Sequence, residues 1–397
     1  MKVTDIYQIT NDIYNEVVDG ENNPILQEDL SNIVDIGKAL FDATSVDNYV
    51  RKLVDHIGRV VFVIRKYEGS TPSLLMDAWE FGSVKEKISM HKLPVAETND
   101  TWTLTSGTTY NQDEFNAPDV AVKFFDKYVT FEVTLSLADK QVKSAFDNAT
   151  QLNSLMSMIY EAMDTALTAR IDALMERTIN NLMAGTIFSE YPDPGNTTPY
   201  AGSSGVRAVN LLYMYNQQFG QSLTKAAALT TPEFIRYANM VMNMYRDRLT
   251  KLSTMFNVEG YERFTPRSRQ HVILLSNYVQ AARSYLYSDT YNPSDVEFDM
   301  EGVEVVPYWQ GTGATYDVAY TSEIDVEFDD GAGSTNAVNL AGIIGCIFDH
   351  EAAGVSNLRK NITMHRNDRA EFQNVWSKAF MGYFNDFSEN CIVFFMA

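Results

Sequence analysis

The pair His350-Glu351, taken with His365, has the residue types of a zinc site, since two imidazoles and a carboxylate are a common ligand set. The spacing argues against it. In an HExxH helix a second histidine follows the glutamate by three residues, and here Gly354 stands in that place. Histidines on a surface or at an interface are expected instead. Asp325, Glu327, Asp329 and Asp330, interleaved with Gly331 and Gly333, offer oxygen ligands of the kind calcium takes. A calcium loop of the EF-hand type closes on a glutamate at its twelfth position, and counting from Asp325 that residue is Asn336. The stretch from Asp325 to Asn339 is therefore expected to be an acidic, glycine-rich surface loop.

Other chemistries fare no better. Gly311-Thr312-Gly313 and Gly331-Ala332-Gly333 lack both the third glycine and the Lys-Ser/Thr that cradle a phosphate. No Gly-X-Ser-X-Gly elbow is present, and only five histidines could serve as a base. Among 52 carboxylates some pair will be close by chance, so proximity alone points to no glycosidase. The sequence implies no catalytic residue, no cofactor and no metal. Arg263, Arg267, Arg269 and Arg283 form the one basic cluster, expected to line an intersubunit contact or to face acidic neighbours rather than DNA. Cys346 and Cys391 each stand beside apolar residues and read as buried free thiols.

The elements that must carry these residues belong to a large, well-packed protein. At 397 residues the chain exceeds a single ordinary core, and 45% hydrophobic with 12% aromatic residues excludes a disordered one. The balance of 52 acidic against 31 basic residues gives a net charge of −21, the opposite of what phosphate binding for affinity would need. No apolar run approaches the roughly 20 residues of a membrane span. The start, Met1-Lys2-Val3-Thr4-Asp5, has no signal-peptide pattern, so synthesis and residence in a cytoplasm are expected.

Residues 1–60 mix acidic and apolar residues with weak helical periodicity and read as an arm. Val60 to Ile64 is a short β-branched run, and Thr101 to Thr105 alternates between Asp100 and Gly107; both suggest strands. From about Trp79 to Asp119 the chain is polar and β-prone, an excursion that needs a neighbour to lie on. Val129, Phe131, Val133, Leu135 and Leu137 then alternate with polar residues as a half-buried strand. A helix capped by Asp139 and stopped at Gly185 follows, with Leu152, Met156, Met163, Leu167, Ile171, Leu174, Ile179 and Leu182 on one face. From Lys140 to Ala184 it would be about 65 Å long. Such a rod is expected to stay exposed unless other copies cover it. Thr231-Pro232-Glu233 starts another helix, with Thr231 as cap. His271 to Leu275, Val303 to Val306, and Cys391 to Phe395 read as strands, with dense apolar character returning at Ile343.

This order resembles the major capsid proteins of tailed double-stranded DNA bacteriophages with the Hong Kong ninety-seven-like fold. The likeness rests on Val129 to Gly185, where an alternating strand feeds a long helix, and on the tail. There Asp349-His350-Glu351-Ala352-Ala353-Gly354-Val355, Asn374-Val375-Trp376 and Asn385 to Val393 resemble the closing strands of such subunits. The resemblance implies an α+β fold with an N-terminal arm (1–60), an extended β-hairpin loop region (61–138), and a spine helix with peripheral domain (139–200). It further implies an axial domain with peripheral segments (201–345) and C-terminal closing strands (346–397). The hairpin would lie over the next subunit, with Lys87, Trp102 and Tyr110 at the interface. Some relatives weld subunits through Lys–Asn isopeptide bonds; Lys85, Lys87 and Lys92 lie in the hairpin region, but no Asn and Glu match that pattern. The implied function is a self-assembling icosahedral shell of hexamers and pentamers around phage DNA held without sequence-specific contact. A separate scaffolding protein and a portal would be partners, and no membrane. An acidic wall suits that role, since it would repel packed phosphates rather than hold them. An encapsulin-like compartment shell would share the fold and carry an enzyme cargo. A soluble hydrolase would need a nucleophile, base and oxyanion set that the sequence lacks.

Overall fold

A computed structural model describes residues 74–76, 85–94, 96, 105–107, 117–138, 149–192, 202–288, 302–309, 323–329 and 335–397. The arm at 1–60, the strand at Val60 to Ile64, Asp139, Trp102 and Tyr110 lie outside them. In chain order the first strands are β1 (Leu75–Met76), β2 (Lys85–Met90), β3 (Val120–Phe125), β4 (Tyr128–Ala138), β5 (Ala208–Asn210), β6 (Gln270–Leu275) and β7 (Val303–Val306). The later ones are β8 (Glu323–Asp329), β9 (Thr335–Ala341), β10 (Ile343–Asp349), β11 (Ala353–Asn367), β12 (Phe372–Asn385) and β13 (Cys391–Phe395). The principal helices are α1 (Ala149–Glu190), α2 (Leu211–Phe219), α3 (Pro232–Leu249) and α4 (Ser276–Ser288). The mixture of helix and sheet is the expected α+β class. The chain divides into two compact units, and α1, β11 and β12 contribute residues to both.

The first unit takes its described residues from Tyr128–Asp172 and Asn357–Gly382. Its organising pair is β4 against β12, antiparallel from Phe372↔Ala138 to Gly382↔Tyr128. The alternation read in the sequence holds: Phe131 is buried, Val129, Val133 and Leu135 are half-buried, and Thr130, Glu132, Thr134 and Ser136 are exposed. The inner residues meet Val375, Ser377, Ala379 and Met381 across the ladder, all buried. On the outer face direct partners pair by polarity. Lys378 Nζ lies 3.2 Å from Glu132, and Ser136 Oγ donates to Asn374 Oδ1 at 2.6 Å.

The second unit comprises Ser70–Lys127, Ala173–Ser356 and Tyr383–Ala397. Its sheet runs in the order β5-β13-β10-β6-β7. β10 lies antiparallel between β13 and β6, while the outer pairs β13/β5 and β6/β7 are parallel. Every residue of β10 and β13 is buried, which is why both read as unbroken apolar runs rather than alternating ones. Phe234, Ile235, Val241, Met242 and Tyr245 of α3, with Tyr278 and Val279 of α4, join Val272, Ile347, Ile392 and Phe394 in the core. Thr231 does stand at the cap of α3, but its hydroxyl donates to Ala227 O at 2.9 Å; its carbonyl, not its side chain, bonds the helix, accepting from Ile235 N.

Three expectations change here. α1 does not stop at Gly185; it continues to Glu190. A glycine is needed there for a different reason, because a Cβ on Gly185 would overlap the ring of Phe387. Nor is the later half of α1 an exposed rod. Leu174, Thr178, Asn180, Met183, Thr186 and Ile187 are buried on all sides of the helix, within the second unit itself. The hydroxyls of Thr178 and Thr186 bond back to Leu174 O and Leu182 O, so they enter the core without unpaired donors. The acidic stretch 325–339 is not a loop over most of its length: β8 and β9 form an antiparallel pair with Ile324↔Leu340 and Val326↔Val338 buried. Alternation of apolar with acidic residues, rather than acidity itself, set the structure.

Both cysteines are free and buried. Burial pushes the Cys391 thiol up to about 12 and raises Cys346 well above its ordinary value. Gly345 marks a close backbone approach in this sheet, where a Cβ would run into the carbonyl of Ile273 on β6. Gly345→Ala must push β10 away from β6, so a loss of about 1–3 kcal/mol is expected, read as a lowered midpoint in thermal or denaturant unfolding.

Candidate functional site

The side chains most densely organised by charge lie at the turn between β12 and β13, Asp386-Phe387-Ser388-Glu389-Asn390. The backbone there is tied down from several sides. Asp386 N donates to Ala352 O at 2.7 Å, Val258 N to Phe387 O at 3.0 Å, and Asp349 N to Asn390 O at 3.0 Å. Asn390 Nδ2 reaches Thr265 Oγ1 at 3.2 Å. Asp386 then folds its carboxylate over the turn, and its Oδ1 accepts from Ser388 N at 3.0 Å and Ser388 Oγ at 2.7 Å. The side chain has 0% exposure, so an ionised carboxylate there requires cations.

The cations come from the β2–β3 hairpin. Lys87 Nζ sits 2.6 Å from Asp386 Oδ2 and 2.9 Å from Glu389 Oε1. Lys123 Nζ sits 2.9 Å from Asp386 Oδ1 and 2.6 Å from Glu259. Arg263 Nε closes the network on Glu389 at 3.0 Å, and its Nη1 donates to Met90 O at 2.9 Å. Lys85 lies 3.7 Å above the ring of Phe384 and 3.5 Å from Glu351. Burial alone would raise the Asp386 pKa; Lys87, Lys123 and the Ser388 hydrogen bond outweigh it and hold it at about 2. Burial pulls Lys123 down, but Asp386 and Glu259 more than offset this and leave it raised.

The hairpin is thus inverted relative to an ordinary amphipathic one. Lys85, Lys87 and Lys123 turn inward, whereas Ile88 and Phe124, 66% and 64% exposed, turn outward with Val120 and Val122. The register sets Ile88 directly against Val122 and Met90 against Val120, while the exposed Glu86 stands opposite Phe124, so the outward face is a mostly apolar strip with one carboxylate at its end.

Condensing Lys87 with Asp386 into an amide needs a neutral amine and a carboxylic acid, and the cations that hold the Asp386 carboxyl at about 2 disfavour that acid form. Elsewhere, His350 pairs with His271, not His365: their Nδ1 and Nε2 are 2.8 Å apart, and His365 belongs to the first unit. Burial first, and His271 second, lower the His350 pKa. No group of three or more metal-ligating side chains occurs among the described residues. The arginine cluster faces acidic neighbours of its own chain: Arg263 meets Glu389, Arg267 meets Asp247, and Arg269 lies 3.4 Å from Glu351, while Arg283 is exposed on α4.

Of the residues expected at a subunit interface, Lys87 is 14% exposed and committed to Asp386 and Glu389, while Trp102 and Tyr110 lie outside the described residues. Asp386 and Glu389 were not singled out in the sequence. The available signal was a D-x-S-E-N turn wedged between two apolar strands, where buried carboxylates must find partners.

A sequence profile of the Phi29-like phage major capsid protein matches residues 10–395. The chain belongs to that family. This capsid protein is a structural component of the phage head, and its copies assemble into the shell of the virion. No curated protein sequence matches it. Among solved structures it is similar to the capsid of Staphylococcus phage Andhra at 10% identity, covering 82% of this chain and 83% of that one, with a TM-score of 0.49. The capsid of the cyanophage P-SCSP1u is similar at 12% identity over 83% and 88% of the two chains, with a TM-score of 0.45. The mature capsid of bacteriophage PhiM1 is similar at 7% identity over 83% and 86%, with a TM-score of 0.43.

Two outcomes follow for the capsid subunit. Because the Asp386 pKa is depressed, its contribution is full above the unfolded value near 4 and is lost as pH falls through about 2. That contribution is on the order of 2 kcal/mol. Pepsin should accordingly cut at Phe124-Phe125 near pH 2 and spare it near pH 4. Equal cleavage at both would show that the network does not hold the hairpin. Denaturing mass spectrometry should find the full chain mass, with no water lost to a Lys87–Asp386 amide.

Proposed function

We propose that the capsid protein builds its shell as hexamers and pentamers whose subunits are joined partly through the outward strip of the β2–β3 hairpin. Ile88, Val120, Val122 and Phe124 are the observation that carries this reading. Four large apolar side chains on one strand pair, with the lysines turned away and only Glu86 among them charged, make a surface that is stable once another copy covers it. Burying such side chains is worth roughly 1.5–3 kcal/mol each, and closed symmetry repeats the gain at every subunit. The residues 1–60 serve as an arm to a further neighbour, the hairpin region of 61–138 reaches over the adjoining subunit, and Trp102 and Tyr110 add to that contact.

The protein acts by assembly and catalyses no reaction. Double-stranded DNA fills the shell without sequence-specific contact, as the net charge of −21 favours a wall that repels phosphates. A separate scaffolding protein sets the size of the shell, and a portal occupies one vertex. Closed shells of normal size from this chain expressed alone would refute the scaffold.

Ile88→Asp combined with Phe124→Asp tests the hairpin. Co-expressed with the phage's scaffolding protein, the double variant should give dispersed subunits by negative-stain microscopy, with an unfolding midpoint like that of wild type. Normal shells from it would sink the reading.

A further inference from the structure

We propose that the β2–β3 hairpin is a releasable arm, latched to its own subunit by Asp386 and able to lift away from it as a unit. The two faces of the hairpin carry different physics. Its attachment to the subunit runs through charges: Lys87 and Lys123 share the one wholly buried carboxylate of Asp386, Glu389 takes a second bond from Lys87, and Glu259 takes one from Lys123. Ring contacts and hydrogen bonds add to these charges: Phe125 is 5.1 Å from the ring of Phe384, His91 is 4.4 Å from that of Tyr261, and Met90 O, His91 O and Leu93 N bond to Arg263 and Glu262. Ile88, Val120, Val122 and Phe124 stand on the opposite, solvent-facing side of the hairpin and are not part of this attachment.

Release therefore trades ion pairs for hydration, and it leaves the ladder from Lys85↔Phe125 to Met90↔Val120 as an isolated strand pair that opens readily in water. The charged and titratable groups along it are Lys85 and Lys87 on β2, His91 and Asp119 beyond the strand ends, Lys123 on β3, Glu259, Glu262 and Arg263 on the 250–266 segment, Glu351 before β11, and Asp386 with Glu389 at the turn. Removing the charge of Asp386 while preserving its turn isolates the latch. In Asp386→Asn the retained Oδ1 can still accept from Ser388, but an amide NH2 replaces Oδ2 and confronts the Lys87 ammonium. The latch is a property of the single subunit, whereas the role of the outer strip is tested by shell formation, so the two can fail separately.

Hydrogen–deuterium exchange on the dispersed full-length subunit tests it. In Asp386→Asn, exchange across 85–90 and 120–125 should quicken by about tenfold, with 270–275, 343–349 and 391–395 unchanged. Lys123→Met, which alters the better exposed cation, should act in the same direction and carries the test alone if the Asn variant fails to fold. Unchanged exchange in the hairpin would overturn the proposal. Equal acceleration in the three core strands would also overturn it, since Asp386 would then be a folding anchor of the whole unit.

Discussion

A carboxylate removed from water must be met by cations or by donors, and in this protein Asp386 is met by both. Its position follows from the chain path: β12 and β13 lie five residues apart across a turn whose backbone is bonded to Ala352, Asp349 and Val258. The turn cannot move without disturbing the buried strands on either side. Once the carboxylate is fixed there, the cations have to come to it, and they come from a hairpin some 260 to 300 residues earlier in sequence. The inverted facing of β2 and β3 is a consequence. With alternate side chains on opposite faces, turning the lysines in turns Ile88, Val122 and Phe124 out.

The protein thus joins unlike forces on either side of one thin element. The inner side is electrostatic and directional, with donor and acceptor positions that fix register. The outer side is apolar and tolerant of small shifts. For a subunit of a closed shell this division is useful, because neighbours in different symmetry environments meet at slightly different angles. A contact made by Val, Ile and Phe accommodates such variation better than one made by aligned ion pairs.

Much of the layout was legible in the sequence where one period dominated. Val129 to Leu137 alternated and proved to be a strand with that facing; Thr231-Pro232 opened a helix; His271 to Leu275 and Cys391 to Phe395 were strands. Legibility failed where two signals competed. In the 323–341 segment acidity and glycine content hid the alternation of Ile324, Val326, Val338 and Leu340. At Gly185 a residue that usually ends helices was there to admit the ring of Phe387, a contact made by a residue about 200 positions away. The charge network was invisible for the same reason. Lys87 drew notice as a hairpin lysine, but nothing local to it or to Asp386 says that they meet, since only the tertiary path of β12 brings them together.

The state of the two sulfur atoms bears on the particle's life after release from a cell. Disulfide exchange and oxidation proceed through the thiolate, and burial disfavours that form at both Cys391 and Cys346. With no other cysteine in the chain, passage from a reducing interior to air-saturated surroundings neither staples copies together nor forms mixed adducts on their surfaces. Cysteine oxidation thereby contributes no cross-links to the coat, whose cohesion rests on packing and ion pairs.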